Sequence, residues 1–158
     1  MAETYLNQQI AQFELLLNAA TPAYQYDRAW WKTKFRRVPW DAPEFVDAQR
    51  VFRSYAFRIV GQERMDLDAA PSGSLARWHL ASAVALRVYY PLGQQADVFR
   101  YYSDADALTI REIIEDPANR IAGGKIMFAT IETRTETAVS EDVRMVEHTI
   151  AIQHMEEA

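Results

Sequence analysis

Three histidines, His79, His148 and His154, are the side chains in this sequence best suited to hold a metal or move a proton near neutral pH. A metal site would need them to converge with a carboxylate such as Glu132 or Glu147. His148 and His154 stand six residues apart in one expected strand, which separates their Cα atoms by roughly 20 Å at about 3.3 Å per residue. They cannot share a metal within that strand, and all three read as solvated surface groups. Carboxylate pairs occur at Asp66/Asp68, Asp104/Asp106 and Glu141/Asp142, in expected loops or helix starts, where turn formation and the helix dipole account for them. Nucleophilic chemistry has little to work with. The chain has no cysteine and no G-x-S-x-G, and Ser72 and Ser74 flank Gly73 in a loop. Ala122-Gly-Gly124 is a turn, short of a phosphate cradle. The sequence points to no catalytic residue, no metal ligand and no cofactor, and so to a protein that is not an enzyme.

One segment stands out. Between Arg28 and Arg37, five of ten positions are basic, Arg28, Lys32, Lys34, Arg36 and Arg37, interleaved with Trp30, Trp31 and Phe35. Three readings fit. Bases could stack on the rings while the cations neutralise phosphates, as in single-strand nucleic-acid binders. A partner protein could use Trp and Arg as anchors. Or the rings could pack on the domain's own core while the cations reach outward. These eight residues, with Asp66 and Asp68 of the acidic loop, are the interface candidates.

The elements that must position them follow from periodicity. Thr4 to Ala19 reads as an amphipathic helix, with Leu6, Ile10, Phe13 and Leu17 on one face, Thr4 as N-cap and Thr21-Pro22 as stop. Residues 20–53 hold three of the six prolines and three of the four tryptophans and read as an extended arm or insertion, with a short capped helix from Asp41 to Arg50. A period of two marks strands from Ser54 toward Met65 and from Arg77 to Tyr90, paired antiparallel across a loop from Asp66 to Ser74. The second strand alternates most cleanly and predicts one buried face and one face of small or polar groups. Gln94 to Glu115 reads as helical, with a stripe through Val98, Tyr101, Tyr102, Ala105, Thr109 and Ile113, and with Ser103-Asp-Ala-Asp106 as an internal cap that would split it in two. Strands from Lys125 to Glu136 and from Val143 to about Gln153 follow, and Met155 to Ala158 reads as a frayed tail. The fold class is α+β: one domain over 1–158, with an antiparallel sheet of about four strands in the order α-β-β-α-β-β and helices over one face.

The 158-residue chain carries 17 Lys+Arg against 22 Asp+Glu, a net charge of −5, and no apolar run long enough to span a membrane. That acidity argues against general nucleic-acid binding. It is also uneven, since residues 1–53 are close to neutral and residues 54–158 carry the excess acid. Fourteen of the 17 basic residues are arginine, which is favoured at interfaces for its planar, stacking guanidinium.

The C-terminal two-thirds resembles the tail terminator (tail-completion) proteins of long-tailed bacteriophages. An N-terminal amphipathic helix precedes a strand, Tyr55-Ala-Phe-Arg-Ile-Val60. The acidic loop Gln62-Glu-Arg-Met-Asp-Leu-Asp68 leads to a long strand ending Leu86-Arg-Val-Tyr-Tyr-Pro91. A helical stretch and a hairpin follow, closing on Val146-Glu-His-Thr-Ile-Ala-Ile-Gln153. The likeness covers about residues 3–19 and 54–154, and the segment 20–53 is longer than the family's pattern. It implies a homo-oligomeric ring, most simply a hexamer, that caps the tail tube and meets the head connector. The protein would then sit in the virion neck after assembly in the host cytoplasm, with DNA only as passing cargo and no membrane contact. The family has no signature motif, so the resemblance supplies no functional residue. Head–tail connectors share parts of the pattern. From the residues alone, two other readings stand: a single-strand nucleic-acid binder, and a small α+β cavity protein using His79, Arg87 and Tyr89 beside the space left by Ala81, Ala83 and Ala85.

Overall fold

The N-terminal helix forms where its apolar spacing places it. In a computed structural model, which describes residues 3–22, 34–41, 51–65, 77–91 and 96–157, helix α1 spans Tyr5–Ala19. Thr4 caps it by accepting the Asn7 N–H at 3.1 Å, and the chain turns extended at Ala20, ahead of Pro22. Leu6, Ile10, Phe13 and Leu17 are buried, with Gln9 among them. The Gln9 amide is satisfied at both ends. Its nitrogen donates to the Asn119 carbonyl and its oxygen accepts the Ile121 N–H.

The sheet has five strands in the order β1-β2-β3-β5-β4. They are β1 (Arg36–Arg37), β2 (Ser54–Arg64), β3 (Arg77–Pro91), β4 (Ile126–Ala138) and β5 (Val143–Glu157). Pairings are antiparallel except β1 with β2, which is parallel. The expected four strands are therefore one too few. The fifth comes from the stretch read as an arm, and a two-residue strand is too short to leave a period in the sequence. The expected Asp41 helix falls mainly on residues 42–50, and with the Asp66–Ser74 loop it lies outside the described residues.

Two further expectations are corrected. Helix α2, Ala96–Glu115, is continuous rather than split at Ser103. The Ser103 hydroxyl bonds back to the Arg100 carbonyl, and Asp106 turns into the core instead of capping a turn. The buried face runs through Phe99, Tyr102, Ser103, Asp106, Ile110 and Ile114, while Tyr101 is 63% exposed. The tail is not frayed either. Strand β5 continues to Glu157, Met155 N–H donates to the Lys125 carbonyl at 2.8 Å, and the Glu156 carboxylate accepts the Tyr5 and Leu6 N–H groups at 2.9 and 2.8 Å. A negative charge thus sits on the positive end of α1. The turn into β4 runs through Gly123 and Gly124 at φ +99° and +66°, where a side chain would be strained.

Both helices pack on one face of the sheet, against Tyr55, Val84, Leu86, Val88, Tyr90, Val146, Ile150 and Ile152. The other face carries a smaller cluster, Val51, Tyr89, Val143 and Met145 with Val38 beside them. Among the described residues no helix is long and apolar enough to cross a membrane. Replacing Glu156 with Ala removes the acceptor for two helix N–H groups, and is expected to lower unfolding stability by about 2 kcal/mol in urea titrations. An unchanged midpoint would show that α1 is held by its apolar face alone.

Candidate functional site

The described part of the 28–37 segment is stitched into the body. Phe35 is 3% exposed and belongs to the main core, so it is not available as an interface anchor. Arg36 and Arg37 form β1, with Arg36 N–H donating to the Arg53 carbonyl and Val38 N–H to the Tyr55 carbonyl. Arg37 lies 2.6 Å from Glu14 of α1 but is 71% exposed, so this ion pair contributes little. Burial raises the Glu14 carboxyl, against the pull of Arg37. Lys34 is exposed. Arg28, Trp30, Trp31, Lys32, Asp66 and Asp68 lie outside the described residues.

From Phe35 the chain passes round the sheet edge. Val38 joins the cluster on the opposite face, and the Trp40 ring lies 4.1 Å from the Arg87 guanidinium and 5.6 Å from that of Arg58. Arg87 also bonds Glu147 at 3.0 Å. These contacts occupy the arginine of the cavity reading. His79 and Arg87 stand eight residues apart on one strand, roughly 26 Å at about 3.3 Å per residue, so that trio does not converge. His79 is partly buried, and its Nδ1 has no partner among the described residues.

The strongest polar constellation is one the sequence reading passed over. Arg53 is fully buried and is the single non-glycine with positive φ among the described residues, at 60°. Its Nε and Nη2 donate to the two oxygens of Asp106 at 2.8 and 2.9 Å, and the Tyr90 hydroxyl donates to the same carboxylate at 2.8 Å. The guanidinium lies 4.7 Å from the Phe52 ring centroid, 4.9 Å from that of Tyr102 and 5.7 Å from that of Phe35. Burial pushes the Asp106 carboxyl upward, and Arg53 and Tyr90 pull it back. The pair is neutralised and sealed from solvent, so it fixes the chain's path instead of presenting charge to a ligand.

A second group has the outline of a Ser-His-acid relay. Ser82 Oγ lies 2.7 Å from His154 Nε2, and His154 Nδ1 lies 3.0 Å from Glu156 Oε1. With Nδ1–H donating to the carboxylate, the other ring nitrogen accepts the Ser82 proton. Ser82 is 4% exposed and His154 wholly buried beneath α1, so the hydroxyl is not offered to a substrate. The expected solvated histidines are corrected on this ground: His148 and His154 both lie inside. Desolvation lowers the His154 ring against the opposite pull of Glu156, and lowers His148 to about 4 with help from Arg134 and Arg111. Their signal was available, since both alternate in phase with Val146, Ile150 and Ile152. Among the described residues no group of three or more His, Asp or Glu could hold a metal ion.

Two outcomes follow from these groups. Asp106→Ala leaves a buried guanidinium without its carboxylate and is expected to cost about 3–5 kcal/mol. The double change Arg53→Met with Asp106→Leu should recover most of that loss in the same denaturation assay. His148 is neutral in both states above pH 6.5, but below it the unfolded chain takes a proton that the folded one refuses until about pH 4. Stability is therefore expected to fall by about 3 kcal/mol across that window, and His148→Gln to flatten this part of the pH profile. Compared with protein-family models and with curated proteins, the chain matches no family model and no curated sequence.

Proposed function

We propose that the chain is a structural subunit of a phage neck, a tail terminator that assembles as a ring on the tail tube and joins it to the head connector. The observation that carries this reading is the length of a sheet whose two helices pack on the same face. Helices α1 and α2 cover one face, while β3 and β5, 15 residues each, run side by side for roughly 50 Å. Strands of five or six residues are the common length, so this length serves something beyond closing a core. On the second face Ala83 pairs with Ala151 and Ala85 with Thr149, so small side chains line the middle of both strands. Toward the end of the sheet where Leu80, His154 and Ile126 align, Trp78, Met127 and Phe128 are 42%, 37% and 42% exposed. Large apolar side chains in water at one end of a sheet suit burial against another protein.

In this role the work is binding rather than bond-making. The net charge of −5 suits a ring that passes DNA without holding it. The test is mass by light scattering, with negative-stain images. The expected result is a particle six times the 18.2 kDa chain with a central hole, or a monomer that gains this form only on purified tail tubes and halts their growth. A monomer at every concentration, with no affinity for tube ends, would overturn the proposal.

A further inference from the structure

Between α2 and the β4–β5 hairpin lies a cleft of about 550 Å³, lined by Asp104, Ala107, Leu108, Arg111, Ile131, Arg134 and His148. The volume falls in the range of small-molecule sites. His148 forms part of its lining, 2% exposed, and its imidazole makes no hydrogen bond among the described residues. Buried polar rings are ordinarily paired, so one left open toward a cleft marks a place for a ligand atom. Two guanidiniums flank it. Arg134 reaches in from β4, held by Asp104 at 2.9 Å and by the Ser103 carbonyl at 3.5 Å. Arg111 comes from α2, and both positive charges bear on the same imidazole.

The balance of charge narrows the ligand. Arg111 and Arg134 against Asp104, with His148 neutral, leave one net positive charge in the lining. The neighbouring acid, Glu115, lies outside this lining. Its carboxylate accepts the Ile131 N–H and the Thr130 hydroxyl at the β4 edge. These bonds hold the carboxyl low, with Arg111 close enough for its charge to add to the effect. The remaining surface is aliphatic: Ala107, Leu108 and Ile131, with Leu108 65% exposed. A monoanion with an apolar body matches this lining, whereas a phosphate dianion would overcompensate it.

We infer that the α2–β4 cleft binds a carboxylate carried on an apolar group, with the carboxylate between Arg111 and Arg134, an oxygen on the His148 ring and the apolar part on Leu108 and Ile131. The inference is independent of the neck proposal, because it needs only the folded chain. A free acid and the C-terminal carboxylate of a protein chain share this chemistry.

The experiment follows the His148 ring resonances in the full-length protein at pH 7 and low salt. Benzoate and acetyl-Leu-Leu are added, with benzamide, acetyl-Leu-Leu-amide and inorganic phosphate as comparators. Saturable shifts with either acid are expected, and the tighter of the two identifies the source. The uncharged amides should bind at least tenfold more weakly, since an ionised acceptor is the stronger partner of a guanidinium. Arg111→Gln, at an exposed position, should weaken the acid roughly tenfold while leaving the melting curve unchanged. His148→Gln, checked for folding by the same melt, should also weaken it. No shift with either acid, equal binding of the amides, tighter binding of phosphate, or an unaffected Arg111→Gln protein would each overturn the inference.

Discussion

A buried guanidinium cannot stay in a protein without an acceptor, and most of this architecture is arranged around giving Arg53 one. Its side chain reaches Asp106 in the middle of α2, its N–H donates to the Tyr89 carbonyl of β3, and its own carbonyl receives the Arg36 N–H of β1. One residue thus ties together the helix, the central strand and the edge strand. The left-handed backbone at Arg53 costs on the order of 1 kcal/mol and persists because these contacts hold it from several sides. Desolvating both charges offsets much of their attraction. The return is geometric: a slipped β2 would leave the charge without a partner, so the pair selects one register over its neighbours.

Where burial follows apolarity the sequence was easy to read. The face of α1 and the even positions of β3 from Val84 to Tyr90 are buried as their side chains suggest, whereas Trp78 on that face is exposed, and Ala85, Tyr89 and Met145 on the opposite face are buried. Three of the misreadings share one cause. Asp106, His148 and His154 sit in phase with apolar neighbours, and their chemistry was given more weight than their phase. Along α2, Tyr102, Asp106, Ile110 and Ile114 follow helical spacing, so an acid within that series already called for a buried partner. Nothing local named Arg53 as that partner, because the two stand 53 positions apart. Strand β1 was illegible for another reason. It exists because Phe35 enters the core while the Arg36 N–H meets the Arg53 carbonyl and the Val38 N–H that of Tyr55 on β2, and such pairing leaves no local pattern.

Docking of α1 shows how polar groups are accommodated beneath a helix. Glu156 meets its first turn, the Gln9 amide pairs with the Asn119–Ile121 backbone, and the Tyr55 hydroxyl donates to the Glu14 carbonyl near its last turns. Ser82 and His154 extend the Glu156 contact into the sheet. Each group is satisfied where it is buried, so the clamp fixes position along the sheet without leaving an orphan donor. Apolar burial supplies most of the attraction, and these contacts determine where along the sheet it is realised.

The excess of arginine over lysine then takes on a different meaning. Read from composition, it pointed outward to partners. In the fold, Arg53 lies among three rings, Arg58 and Arg87 share Trp40, and Arg64 covers Trp78, whereas one lysine, Lys125, meets the ring of Tyr5. A flat, weakly hydrated guanidinium can lie on an aromatic face and still donate in its own plane, as Arg53 does to Asp106 and Arg87 does to Glu147. An ammonium is a point charge and cannot do both. Lysine at either place would give up the paired hydrogen bonds or the stacking. Part of the arginine content is therefore required by the chain's own packing. The outward-facing case rests on those such as Arg111, whose charge no carboxylate among the described residues engages within ion-pair distance.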